Sequence, residues 1–172
     1  MTVLGQAPSS REFAHCCRRA LPSELNSTSI RFIEEVAVLL RDELTRNHVS
    51  LRTDLGADLP RVSGDRVQLQ QVVINLVMNG IEAMRSLAHL PRELFIKSAR
   101  NHNAVLIQVQ DSGEGLDPQQ AEHIFEPFFT TKPEGIGMGL SISRSIVESH
   151  GGRLWAESSS KGALFQFTLP AQ

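Results

Sequence analysis

The sequence predicts a two-layer α/β sandwich, one mixed and mostly antiparallel sheet covered on one face by helices. Three observations carry this. Apolar residues recur at three- and four-residue steps in some segments. They alternate with polar residues in others. The two kinds follow the order helix, strand, helix, hairpin, helix, hairpin, with no internal repeat.

Residues 1–28 read as a leader or linker, poorly ordered, because Pro8, Ser9, Ser10, Pro22, Ser23, Asn26, Ser27 and Thr28 interrupt any period. One domain, residues 29–172, follows. Its first helix starts near Ser29 and places Ile33, Val36, Ala37, Leu40 and Leu44 on one face, with Glu34 and Glu35 early, where the helix dipole favours acidic groups. Val49, Leu51, Thr53 and Leu55 alternate as a strand that ends at Gly56 and Pro60. A connection through Gly64 leads to Asp65, the expected N-cap of a helix reaching about Leu87. Leu69, Val72, Val73, Leu76, Val77 and Met84 give that helix a wide buried face. Strands near Glu93–Arg100 and Ala104–Gln110 flank Asn101, His102 and Asn103, residues that suit a hairpin turn. A third helix spans Leu140–His150 and closes at Gly151 and Gly152, where helices favour a left-handed residue. Strands near Arg153–Ser158 and Ala163–Leu169 finish the fold before Pro170.

Composition narrows the function. Hydrophobic residues are 41% and charged residues 21% of the 172, so a packed core is expected. Lys plus Arg number 17 against 19 Asp plus Glu, a net charge of -2, which argues against a nucleic-acid partner. No apolar run approaches the roughly 20 residues that cross a bilayer, and the N-terminal stretch lacks a signal-peptide core, so the segment is expected in the cytoplasm without membrane contact. Cys16 and Cys17 supply neither a disulfide framework nor a four-ligand zinc site.

Three strings carry chemistry. Asn75 and Asn79 stand four apart in an otherwise apolar helix, so both amides leave one face and either bond nearby protein or meet a polar ligand. Asp111, Ser112, Gly113, Glu114 and Gly115 follow directly on a strand. They form either an ordinary turn or an acceptor beside backbone that a flat ligand can approach. Gly135, Ile136, Gly137, Met138, Gly139 and Leu140 run straight into the third helix, as a mobile hinge or as a loop whose N–H groups and helix dipole receive phosphate. Neither a dinucleotide fingerprint nor a Walker-type loop is present.

In this order, with FEPFF between the second and third strings, the features resemble the catalytic domain of sensor histidine kinases, within the GHKL ATPase superfamily. The resemblance covers about residues 29–170. It is nearest the nitrogen- and oxygen-sensing type in QLQQVVINLVMNGIEAM, IFEPFFTTKPEGIGMGLSISRSIVESHGG and GALFQFTLP. It implies a Bergerat-type ATP-binding fold, with ATP and Mg²⁺ as cofactors. Asn79 matches the magnesium ligand and Asn75 the position that helps hold metal and phosphate water. Asp111 matches the acceptor for the adenine amine, beside Gly113. Gly115 lies at the base of the ATP lid, Gly137 and Gly139 offer the triphosphate backbone donors, and Gly162 shapes the pocket beneath the base. Phe125 and Phe128 either report lid state or anchor a loop; Lys132 either reaches the terminal phosphates or is a solvated lysine. Where related ATPases place a water-activating glutamate, this chain has Asn75, whose amide is no general base, so hydrolysis is expected to be slow.

A complete kinase of this type carries a helical dimerisation hairpin with a phosphoacceptor histidine before the catalytic domain. His15 is followed by Cys16, Cys17, Arg18 and Arg19, unlike that motif, and lies too near Asn75 for the hairpin to fit. His48, His89, His102, His123 and His150 read as structural or surface residues. The expectation is a fragment, or a protein acting on a separate histidine-containing dimerisation domain and, through it, on a response regulator. A GHKL ATPase or serine kinase of the anti-sigma type, and a catalytically silent ATP-binding module, are the alternatives.

Overall fold

The computed structural model describes residues 27–28, 31–87, 91–117, 121–130, 135–159 and 162–172. Among these residues seven strands and four α-helices follow in chain order: β1 (Ser27–Thr28), α1 (Phe32–Leu39), α2 (Arg41–Arg46), β2 (Val49–Leu55), β3 (Val62–Ser63), α3 (Arg66–Ala83), β4 (Arg92–Asn101), β5 (Ala104–Asp111), α4 (Gly139–Ser149), β6 (Arg153–Ser159) and β7 (Gly162–Pro170). A short 3-10 turn, His123–Phe125, precedes α4. Five strands form one sheet in the order β2-β4-β5-β7-β6, with β2 parallel to β4 and every other pairing antiparallel.

Register sets the core. Ile96, Val109, Phe165 and Ala156 align across the sheet, and the next row is Ser98, Ile107, Phe167 and Leu154. All but Ala156 are buried, beneath α3 and α4. Alternation sends their neighbours to the other face, where Gln108 donates to Gln166 at 2.6 Å. The expected two-layer arrangement is therefore present.

Asp65 caps α3 as its position predicts, its Oδ1 accepting from Val67 N at 2.8 Å and Gln68 N at 3.2 Å. Leu69, Val72, Val73, Leu76 and Val77 are buried along one face of that helix, each such side chain contributing about 1.5–3 kcal/mol relative to exposure. α4 ends where Gly151 takes φ 72°, the left-handed residue expected there.

Two elements differ from expectation. The first helix is interrupted at Leu40, because α1 buries Phe32, Ile33 and Val36 against α3 while α2 turns Leu44 toward β2. Ser27 and Thr28, read as leader, instead pair antiparallel with Ser63 and Val62, in the stretch read as a plain connection. Two-residue strands have no periodicity to detect. No helix among the described residues is long and apolar enough to cross a membrane.

Candidate functional site

Asp111 ends β5 opposite Leu94 of β4 and is only 3% exposed. Ser112 fixes the chain behind it: its N–H donates to Glu93 O at 3.0 Å, and its hydroxyl accepts from Glu93 N at 2.9 Å. The backbone then turns so that Gly113 N donates to Asp111 Oδ1 at 2.8 Å. Ala163 N, from β7, donates to the same oxygen at 3.2 Å. A buried carboxylate needs such donors, since leaving it unsatisfied is expensive.

Glycines let the surrounding backbone come this close. A Cβ on Gly80 of α3 would lie 2.8 Å from Leu94 Cδ2 and 3.2 Å from Asp111 Cβ. Gly162 has φ 136°, and a Cβ there would stand 2.8 Å from both Asp111 Oδ1 and Gly113 N. A side chain at Gly162 would crowd the carboxylate directly, and one at Gly80 would crowd Leu94 beside it.

Beside Asp111 opens a cavity of ≈ 600 Å³, within the span of roughly 300–1,000 Å³ usual for small-molecule sites. Asn79, Glu82 and Ala83 of α3 form one wall, and Ala163 and Phe165 of β7 another. Gly115, Leu116 and Asp117 border it after β5, as do Ile124, Phe129 and Thr130 around the 3-10 turn. The run from Gly135 through Leu140 closes the side that leads into α4. The first-turn N–H groups of that helix lack helical partners and carry the positive end of its dipole.

The residues singled out in the sequence divide into three groups. Asn79, Asp111, Gly115, Gly135, Gly137, Met138, Gly139 and Leu140 line the cavity. Gly113 and Gly162 border Asp111 rather than the cavity itself. Asn75 is turned to α4: its Nδ2 donates to Gly139 O at 3.3 Å and to Ser143 Oγ at 3.2 Å. Asn75 thus bonds within the protein, and Asn79, one turn on, borders the cavity. Lys132 lies outside the described residues.

The phenylalanines also separate. Phe125, 3% exposed, packs edge-on to Phe165 with centroids 6.5 Å apart, and the Arg144 guanidinium sits 4.0 Å from the Phe125 centroid. It is an anchor. Phe128 is 71% exposed, and its N–H donates to Gly137 O at 3.0 Å, joining the 3-10 region to the glycine loop.

Sequence reasoning missed Glu82, Leu116, Asp117, Ile124, Phe129 and Phe165 as cavity residues. A signal existed for Glu82, three residues after Asn79 on the same helical face; the apolar ones carry none beyond their hydrophobicity. Among the described residues no group of three or more His, Cys, Asp or Glu is placed to hold a metal ion.

Residues 64–172 match the family model described as histidine kinase-, DNA gyrase B- and HSP90-like ATPase. The sensor protein FixL of Bradyrhizobium diazoefficiens is 46% identical over 145 residues, which are 82% of this chain and 28% of that protein. The sensor histidine kinase TmoS of Ectopseudomonas mendocina is 41% identical over 141 residues, 80% of this chain and 14% of that protein. The chain thus spans about a quarter or less of these relatives. Among solved structures, the nucleotide-free catalytic domain of the histidine kinase ThkA superposes with a TM-score of 0.73 at 37% identity, covering 82% of this chain and 91% of that domain. ThkA in complex with the response regulator protein TrrA superposes with a TM-score of 0.71 at 35% identity, covering 83% of this chain and 40% of that one. With residues 64–172 matching the family model and this similarity over nearly the whole of a solved catalytic domain, the chain belongs to the histidine kinase-, DNA gyrase B- and HSP90-like ATPase family, as a histidine kinase catalytic domain.

Proposed function

We propose that this domain binds Mg-ATP in the cavity beside Asp111 and transfers the γ-phosphoryl group to a histidine on a separate dimerisation domain, from which a response regulator receives it. The observation that carries the reading is Asp111 itself. Its Oδ1 is held by Gly113 N and Ala163 N at the edge of a nucleotide-sized cavity. Asn79 lies on one wall and the head of α4 on another. A carboxylate so placed accepts from the exocyclic amine of adenine and rejects a carbonyl at that position.

In this reading the catalytic domain, expected from the sequence over residues 29–172, extends back to β1 at Ser27 and acts in the cytoplasm, where ATP is available. Asn79 offers one oxygen to Mg²⁺; the ion, when bound, neutralises developing charge on the phosphates. The N–H groups from Gly137 through Leu140 face the triphosphate, and Lys132 adds a point charge. The bare nitrogen of a neutral imidazole attacks the γ-phosphorus as the bond to the ADP oxygen breaks; ADP departs as the leaving group, and the proton on the other ring nitrogen passes to solvent. Asn75 has no basic atom to activate water, and its amide is engaged on α4, so transfer rather than hydrolysis is favoured.

Calorimetry with Mg-ATP and Mg-GTP tests the base site. Saturable binding of Mg-ATP with Mg-GTP at least about tenfold weaker is expected from one lost and one reversed hydrogen bond. Equal affinity for the two nucleotides would remove the reading.

A further inference from the structure

His150 lies one residue past α4, at the end remote from the cavity, yet it is bonded to both helices that build the site. Its Nδ1 is 2.7 Å from Ile146 O of its own helix. Its Nε2 accepts the backbone N–H of Asp65, the N-cap of α3, at 2.9 Å. A carbonyl on one side and an N–H on the other allow one arrangement only: a neutral ring with its proton on Nδ1. Gly64 makes room, since a Cβ there would lie 2.6 Å from His150 Cδ2.

A second bridge joins the same two helices. Asn75, ten residues along α3, bonds Gly139 and Ser143 near the opposite end of α4. The helices run antiparallel and are pinned by a side-chain bond at each end of their shared face. On top of the packing between the helices, one pin fixes a point and leaves a pivot; the second sets how far α4 lies along α3. That distance places the N–H groups at the head of α4 relative to Asn79. It does not touch Asp111, which is held by β7 and the turn after β5.

We propose that His150 is a positioning residue for the phosphate half of the site, fixing the longitudinal register of α4 on α3 through Asp65. The proposal rests on the nucleotide reading above and separates phosphate from base recognition. His150→Asn retains an amide nitrogen near Nδ1 for Ile146 O but has no atom at Nε2. His150→Gln extends an amide oxygen toward Nε2 and can accept from Asp65.

The test compares Kd for Mg-ATP and for adenosine in the full chain, by calorimetry and ligand-observed NMR. His150→Asn is expected to weaken Mg-ATP roughly 3- to 10-fold, the range of one lost hydrogen bond, and to leave adenosine unchanged. His150→Gln should restore the wild-type ratio. Parallel loss of both ligands, no loss of either, or failure of Gln to restore the ratio would overturn the proposal. Wild-type chain that binds no Mg-ATP would instead remove the nucleotide reading and this inference with it. Should the variants fold poorly, ¹⁵N imidazole spectra of the wild type decide: a protonated Nδ1 with a bare Nε2 at His150 is required, and the opposite tautomer or a doubly protonated ring contradicts it.

Discussion

The carboxylate of Asp111 accepts the backbone N–H of Ala163 at 3.2 Å, across the junction where β5 meets the start of β7. One oxygen thus serves the fold, together with Gly113 N, at a residue that also lines the cavity. Substitutions at this position should separate the two duties. Asp111→Ala leaves two backbone donors without their partner and should destabilise the domain by about 1–3 kcal/mol. Asp111→Asn can keep an oxygen toward Gly113 and Ala163 while presenting an amine where the adenine amine needs an acceptor. Thermal melts alongside calorimetry should find near-wild-type stability with ATP affinity lost in the Asn variant. Undiminished ATP binding by Asp111→Asn would show that the base lies elsewhere.

Asn79 acts, in the proposed mechanism, through the ion. For Asn79→Ala the affinity for ATP in magnesium should fall more than the affinity in chelator. Titrations under both conditions check this, and equal losses would contradict a metal-directed role.

Asn75 is the counterexample within the same helix turn. Its bonds to Gly139 O and Ser143 Oγ tie α3 to α4, and Ser143, wholly buried, in turn donates to Gly139 O at 2.9 Å. A double-mutant cycle of Asn75→Ala and Ser143→Ala, read by urea unfolding, should give a coupling energy of about 0.5–1.5 kcal/mol. Additive effects would mean that the amide is not engaged there.

Gly162→Ala is expected to lower stability by more than about 1 kcal/mol, because φ 136° disfavours any Cβ and the added atom meets Asp111 and Gly113. Gly139→Ala, by contrast, introduces a Cβ with nothing within 4 Å and should leave the fold intact. Chemical denaturation of the two variants distinguishes a glycine required for close approach from one that is not.

The layers, the sheet, the start of α3 and the span of α4 were legible because each long element repeats its period several times, while α3 stops at Ala83, short of the expected Leu87. Asp65 and Gly151 marked helix ends by chemistry that operates locally. What stayed hidden depends on partners distant in sequence. Leu40 continues a helical pattern, and only the separate docking of α1 on α3 and α2 on β2 interrupts it. Asp111, Gly113 and Gly162 were singled out, but nothing in the sequence tells that Ala163, 52 positions on, completes the carboxylate's donors. The open choice at Asn75 turned on the placement of Ser143, and His150 read as an ordinary helix-end residue until Asp65 stood beside it.

The central claim is phosphoryl transfer to histidine, and transfer of labelled γ-phosphate from Mg-ATP tests it most directly. The chain is incubated alone and with a histidine-containing dimerisation hairpin from a related kinase, and the product is treated with acid. In-line attack requires an imidazole held about 3 Å from the γ-phosphorus, which the proposal assigns to a docked partner. Acid-labile label on the hairpin, with none on this chain alone, is the expected result. Acid-stable label on a partner, or robust acid-labile labelling of this chain by itself, would contradict the account.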